Sequence, residues 1–107
     1  MTSNYEQELQ DDFIALVGSL LKEKGFSRIM SRIYGQPQPP NLNGFTPDVY
    51  AEKVIKSEQG IDFVIEKLVV AVETETSLKD PQTNSRHKKL KQWAKSNKAV
   101  FKTVLAR

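Results

Sequence analysis

The stretch "VVAVETETS" (69–77) decides the fold, because it begins as a buried strand and ends in charge. Its apolar start predicts a buried strand, which we place over residues 68–75. Side chains alternate along a strand, so Glu73 and Glu75 are expected on the same side, about 6.7 Å apart along the chain. Two like charges at such a strand end are unfavourable unless water, a base or a cation compensates them. Either the strand emerges into solvent there, or the two acids belong to a functional site.

Apolar periodicity and turn residues predict the elements on either side of this strand. They are a helix over 4–24, a strand over 26–34, a loop over 35–44, a strand over 46–56, a hairpin turn at Gln59–Gly60, a helix from Pro81 to about Asn97, and a strand over 99–106. The stretch 57–67 fits a strand and a helical turn almost equally well, and a hairpin is the preferred interpretation. This order predicts an α/β or α+β fold, a sheet with helices packed on it.

The bulk composition limits the classes of protein. A chain of 107 residues predicts one domain spanning 1–107, with a single core. No apolar run approaches the roughly 20 residues that a membrane-spanning helix needs, and the N-terminal residues lack the pattern of a signal peptide. The chain has no cysteine, which excludes disulfides and thiolate metal sites. These features lead us to expect a cytoplasmic protein with no membrane partner.

Charge is distributed unevenly along the chain. Residues 79–107 carry nine Lys and Arg against one acid, a net charge of +8, whereas residues 1–78 carry seven against twelve acids, a net charge of −5. A lysine-rich solvated surface explains part of this asymmetry. An anionic partner explains it more specifically, and a phosphate backbone is the leading candidate because clustered Lys and Arg give sequence-independent affinity for it.

A third carboxylate extends the pair at the end of the strand. Asp48 follows a proline at the start of the preceding predicted strand. If the two strands are neighbours, about 4.8 Å apart, Asp48, Glu73 and Glu75 converge. Carboxylate oxygens are ligands that Mg²⁺ prefers, and the ion leaves coordination positions for water and phosphate oxygens. The acids therefore predict a Mg²⁺ or Mn²⁺ site next to the basic helix that begins at Pro81.

The pattern "TPDVYA" (46–51) followed by "VVAVETET" (69–76) resembles the PD-(D/E)xK, or restriction-endonuclease-like, nuclease superfamily. The predicted order of helix, three strands, helix and strand is also similar to that core, with a mixed central sheet flanked by helices. The layout is closest to Holliday junction resolvase-like nucleases. The resemblance implies that Asp48 and Glu73 bind the metal, that these two acids and Glu75 form the catalytic set, and that DNA is the substrate.

The chain departs from the superfamily motif at one position, where Glu75 stands in place of the usual lysine. The resemblance allows another lysine to take that role, and Lys53, Lys79 and Lys88 remain as alternatives. Members often add an acid from the first helix. Asp12 or Glu8 would match it, four residues apart on one side of the helix.

The predicted basic helix holds the candidate nucleic-acid contacts, which are Arg86, His87, Lys88 and Lys91. His87 is the only histidine, and without a second histidine or a cysteine it predicts no zinc site. Trp93 is expected to pack this helix on the sheet rather than to stack on bases. Arg28 and Arg32 alternate onto one face of the first strand, which we interpret as an exposed face.

These observations predict a metal-dependent nuclease that hydrolyses DNA phosphodiester bonds, with a homodimer as a compatible assembly. Two alternatives stay open. The first is a catalytically degenerate nucleic-acid-binding module of the same fold, because the motif lysine is replaced. The second is a protein-interaction subunit that uses the basic helix to meet an acidic partner.

Overall fold

A four-stranded mixed sheet forms the centre of the molecule in a computed structural model, which describes residues 4–107. Strand order is the same as chain order, with two antiparallel pairings followed by one parallel pairing. The elements are α1 (Asn4–Glu23), β1 (Arg28–Ser31), β2 (Val49–Lys56), β3 (Asp62–Glu73), α2 (Glu75–Leu78), α3 (Pro81–Ser96) and β4 (Val100–Leu105). The parallel β3–β4 pair requires a crossover connection, which α2 and α3 provide. The predicted α/β class is confirmed.

The register of β2 and β3 assigns their side chains to two faces. Val49 lies opposite Val70, and both belong to the apolar cluster packed under α1. Tyr50 lies opposite Val69 on the other face, where Leu90 of α3 covers them. Because side chains alternate along a strand, each face of this buried sheet centre supplies one core. The face that carries Val49 and Val70 is named the α1 face, and the face that carries Tyr50 and Val69 is named the α3 face.

The end of α1 and the start of α3 lie close to the residues predicted from the sequence. Gly25 has φ +94°, a conformation that glycine adopts without strain, and it follows directly after α1 and Lys24. Asp80 caps α3 by accepting a hydrogen bond from the backbone N–H of Gln82, and Pro81 occupies the first helical position. Within residues 4–107, no helix has the length and apolar character needed to cross a bilayer.

The expected strand over 68–75 is wrong at both ends. β3 begins at Asp62 and ends at Glu73. The preferred hairpin for the ambiguous stretch is confirmed, with its turn at 58–60. Thr74 then forms a reciprocal capping box with Ser77 and starts α2, a helix that the sequence analysis missed. Glu75 is consequently an exposed helical residue, and it does not share a strand face with Glu73.

Two other predicted strands are shorter in the structure. β1 covers residues 28–31 rather than 26–34, and β2 begins at Val49 rather than at residue 46. Glycines and prolines flank both strands, with Gly25 and Gly35 around β1 and Pro47 before β2. The shortening leaves Arg32 just after β1 and Asp48 just before β2, where the Arg32 backbone N–H donates to the Asp48 carbonyl at 2.9 Å.

Candidate functional site

Asp48 is a buried carboxylate fixed against β3. Only 1 % of the residue is exposed. Its backbone N–H donates to the Val70 carbonyl at 3.0 Å, and its Oδ2 accepts a hydrogen bond from the Val72 backbone N–H at 2.7 Å. Both partners are backbone groups of β3, so the position of the Asp48 carboxylate is fixed by the main chain of the neighbouring strand.

Glu73, the last residue of β3, is a second carboxylate with only 1 % exposure. Its Oε2 accepts a hydrogen bond from the Ser77 hydroxyl at 2.8 Å. Its Oε1 pairs with the Arg86 guanidinium and lies 3.3 Å from His87 Nε2. Glu73 therefore joins the end of the central strand to α2 on one side and to α3 on the other.

Both acids lie on the α3 face of the sheet. Tyr50 and Val69 lie opposite each other on that face, Asp48 is two residues before Tyr50, and Glu73 is four residues after Val69. Even spacings keep side chains on one face of a strand. The two acids also act on a common neighbour, since Asp48 favours the charged form of Arg86 while Glu73 contacts it directly. The structure thus places Asp48 and Glu73 on one sheet face, both next to Arg86.

Two arginines compensate these carboxylates. Arg32 Nη2 lies 2.8 Å from Asp48 Oδ1, and Arg86 pairs with Glu73. Burial lowers the pKa of Arg86; among the smaller effects, Asp48 raises it and the nearby Arg32 lowers it. The charge at the end of the buried strand is therefore balanced by guanidinium groups. Arg32, which the sequence predicted on an exposed face, therefore contacts a buried carboxylate of the candidate site.

Two buried polar atoms of this cluster have no hydrogen-bond partner among the described residues 4–107, and they are Asp48 Oδ1 and Arg86 Nε. The 2.8 Å contact between Arg32 and Asp48 Oδ1 is close enough for an ion pair but lies outside hydrogen-bond geometry. Asp48 Oδ1 is therefore in contact with a cation but accepts no well-aligned hydrogen bond. Buried groups without hydrogen bonds are costly, and they concentrate here at the candidate site.

His87 is the third basic side chain of the cluster. Its ring packs edge-on against Phe101, with 5.4 Å between ring centroids. Burial lowers the pKa of His87 and Arg86 lowers it further, against a smaller opposing effect of Asp48. Burial and Arg86 thus favour the uncharged ring, and Arg32 and Arg86 are the permanent cations next to the two acids.

The remaining predicted site residues lie outside this cluster. Glu75, Glu8 and Asp12 are exposed, as are Lys79, Lys88 and Lys91. Lys53 lies on the α1 face, where its Nζ is 3.6 Å from Glu66 and 5.0 Å from the centre of the Phe26 ring. Among residues 4–107 there is no group of three or more His, Cys, Asp or Glu residues placed to hold a metal ion.

The first helix reaches the end of β3 through residues other than the two expected. Glu6 accepts hydrogen bonds from the Thr74 and Thr76 hydroxyls at 3.1 and 3.2 Å, and Gln10 Nε2 donates to the Val72 carbonyl at 2.8 Å. Glu6 lies six residues before Asp12, and its partners Thr74 and Thr76 come directly after the end of β3. The predicted strand included Thr74, so these contacts and the role of Ser77 were not predicted.

Trp93 packs α3 on the sheet, as expected. Its ring meets Tyr50 edge-on with 6.0 Å between centroids. Such pairs stabilise a packed interface beyond the burial of their surface. Tyr50 also donates its hydroxyl hydrogen to Glu52 Oε2 at 2.8 Å, so one aromatic side chain links the core to the polar residues of β2.

Tyr50 is expected to resist ionisation in alkali. Burial and the Glu52 carboxylate both raise its pKa above the ordinary value of 10.0. Unfolding releases a proton above that pH, so the stabilisation by protonated Tyr50 is complete below pH 10.0 and is lost as the pH rises towards the folded-state pKa. In a Tyr5→Phe/Tyr34→Phe protein, tyrosinate absorbance should appear only together with unfolding. Ionisation near the ordinary pKa in a folded protein would contradict this prediction.

Comparisons with known proteins identify no relative. No protein-family model matches the chain, and no curated protein or solved structure matches it.

Proposed function

We propose that this domain is a metal-dependent nuclease that hydrolyses DNA phosphodiester bonds. The observation that carries the proposal is that Asp48 and Glu73, two buried carboxylates at the ends of neighbouring strands, share one sheet face with the basic helix α3. Each is only 1 % exposed, and burying two acids together is unfavourable unless cations compensate them. A bound divalent cation would compensate the negative charge of both acids.

The donor set fits Mg²⁺ or Mn²⁺. Asp48 and Glu73 supply carboxylate oxygens, the hard ligands that these ions prefer, and Asp48 Oδ1 is buried without a hydrogen bond among residues 4–107. Mg²⁺ commonly takes only one or two protein carboxylates and completes its shell with water and phosphate oxygens. Two acids are therefore sufficient, and Glu75 is not needed as a ligand.

The element order supports the finer fold assignment that belongs to the same proposal. One helix, an antiparallel run of three strands, a crossover helix and a parallel fourth strand follow the order expected for a restriction-endonuclease-like core. The short α2 is an addition between the third strand and the crossover helix. In this assignment, Asp48 occupies the motif aspartate position and Glu73 the second acidic position.

The chain's own side chains have distinct roles in this proposal. A divalent ion bound by Asp48 and Glu73 would lower the pKa of water and stabilise charge on the phosphate. Ser77 orients Glu73 by donating to its Oε2. Arg86 compensates Glu73 and, when released from it, contacts a phosphate oxygen from the same helix position. Lys88 and Lys91 are exposed on α3 and contact the DNA backbone without sequence preference.

In this proposal, an arginine supplies the positive charge that the motif lysine supplies in the superfamily. The nearest cations to the two acids are Arg32 and Arg86, both held in place by carboxylates. A guanidinium binds phosphate oxygens in a bidentate manner and stays charged at neutral pH. It therefore stabilises negative charge on a phosphate, although it is a poorer proton donor than lysine.

The decisive experiment is a cleavage assay on linear, branched and single-stranded DNA with Mg²⁺, with Mn²⁺ and with EDTA. Cleavage is expected only with a divalent ion, and Glu75→Gln should cleave like the unmodified protein because Glu75 is exposed in α2 rather than buried with the pair. DNA that stays intact under all conditions would overturn the catalytic assignment. A cytoplasmic location and DNA as the partner belong to the same proposal.

One observation favours a second candidate, a DNA-binding module without catalysis. Arg32 and Arg86 already neutralise both acids, so the cluster is balanced without a metal. This candidate predicts DNA binding that persists in EDTA, weakens steeply with salt, and leaves the DNA intact. A gel-shift series across salt concentrations, with and without Mg²⁺, separates the two. The absence of DNA binding at physiological salt would instead favour a protein-interaction subunit.

A further inference from the structure

The outer half of the β2–β3 hairpin extends beyond both neighbouring strands. β1 pairs only with residues 49–52 of β2, and β4 pairs only with residues 68–73 of β3. Among residues 4–107, the segments 53–56 and 62–67 therefore pair only with each other. Unpaired N–H and C=O groups along such edges are a template for pairing with another strand.

Large apolar side chains are concentrated on this outer half. Ile55, Ile61, Phe63 and Ile65 are each more than half exposed, and Val64 is 39 % exposed. Single exposed apolar residues need no explanation, but a contiguous group of this kind marks an interaction surface. A cavity next to α3 continues this surface along the β3 edge, where Asn97 and Lys98 complete its lining.

Most charges near the outer half of the hairpin are paired within the molecule. Lys53 pairs with Glu66 at 3.6 Å, while Lys56 and Arg28 approach Asp62 at 3.9 and 3.0 Å. The outer half therefore presents apolar groups and balanced charge to a partner. A nucleic acid would gain little from this surface, because its affinity depends on uncompensated cations. A second copy of this chain presents the same apolar groups and the same balanced charges, so the two surfaces do not repel each other.

We propose that two copies of the chain associate through the outer edge of β3, antiparallel about a two-fold axis at Phe63. This pairing places Phe63 against Phe63 and Ile61 against Ile65, and it places Asp62 against Val64, so no like charges oppose each other. A two-fold interface uses the same surface on both copies and closes on itself. It therefore covers the exposed edge without leading to a filament.

The bulge in the hairpin explains why the axis lies at Phe63. The register shifts between Lys53 and Val54, which lie opposite Glu66 and Val64, so Ile65 has no partner on β2. A bulge and a lysine at position 67 protect the inner end of the edge against pairing. The segment 61–64 has neither feature, so the paired backbone is confined to residues 62–64, and the bulged Ile65 meets Ile61 at its border. The second copy consequently pairs there.

A charge-swap experiment tests this interface. Phe63→Glu and Phe63→Lys each place like charges opposite each other at the axis, and each should raise the dimer dissociation constant at least about 30-fold, as expected for a central aromatic contact. An equimolar mixture of the two variants places Glu against Lys and should restore association. Sedimentation equilibrium measures all three samples, and Phe63→Ser provides an uncharged variant.

Tyr34→Glu is the matched control, because Tyr34 is a fully exposed aromatic residue outside the hairpin. It should associate like the unmodified protein. Far-ultraviolet circular dichroism and the urea midpoint verify that each Phe63 variant is folded, which is expected for a half-exposed position. A monomeric unmodified protein, dimeric single variants, or a mixture that stays monomeric would each overturn the proposal. None of these outcomes affects the nuclease assay.

Discussion

Replacing Glu73 with alanine is expected to lower the free energy of unfolding by about 3 kcal/mol. The residue is 1 % exposed, and it compensates Arg86, whose side chain is 20 % exposed. Removing one member of a buried pair leaves the other charge desolvated, which costs about 3–5 kcal/mol. The lower end of that range is expected because Asp48 still stabilises the charge of Arg86. Urea unfolding followed by circular dichroism provides the measurement.

Glu75→Ala is the matched control for this prediction. It removes the same side chain two residues later, from an exposed position in α2, and should change the free energy of unfolding by no more than about 0.5 kcal/mol. Equal effects of the two substitutions would show that Glu73 is solvated in solution. In that case the buried pair on which the candidate site depends would not exist.

Asp48→Asn is expected to reduce metal-dependent cleavage by about a hundredfold or more while the protein stays folded. The asparagine oxygen can still accept the hydrogen bond from the Val72 N–H, but the side chain no longer carries the charge that a divalent ion requires. Single-turnover cleavage in Mn²⁺ and a metal titration by calorimetry measure the two consequences separately. Both the cleavage rate and the metal affinity should fall.

The urea midpoint and DNA binding in EDTA are the controls for Asp48→Asn. Arg32 is 40 % exposed, so water can solvate its guanidinium once the acid is gone, and only a modest loss of stability is expected. Cleavage that persists at the original rate would exclude Asp48 as a metal ligand. If neither protein cleaves DNA and both bind it equally, the non-catalytic module is the correct interpretation.

The sequence predicted the sheet and its helices because the decisive signals are local. The apolar run before Glu73, the Asp80–Pro81 helix start and Gly25 each act within a few residues, and each has the expected role in the structure. The boundary after Glu73 failed because a capping box competed with strand propensity. Thr74 and Ser77 satisfy each other's backbone N–H groups, and this bonding starts a helix where alternation alone predicts more strand.

The candidate site was predictable only in part. Asp48 and Glu73 were found because each marks the end of a strand whose spacing is visible in the sequence. Arg32 was not, since its contact with Asp48 depends on β1 ending at Ser31 and on the antiparallel register that follows. The pairing of Arg86 with Glu73 depends on the crossover placing α3 over the α3 face, and no local pattern encodes that placement.

The geometry of Ser77 couples the carboxylate of Glu73 to the integrity of a single helical turn. The Ser77 hydroxyl donates to Glu73 Oε2 at 2.8 Å and accepts from the Thr74 backbone N–H at 2.8 Å, so one oxygen serves both the acid and the helix cap. Short helices with few buried contacts open locally far more often than the whole domain unfolds. Each fraying of α2 therefore frees one oxygen of Glu73, and the amide exchange rates of this turn would report how often that acid reorients.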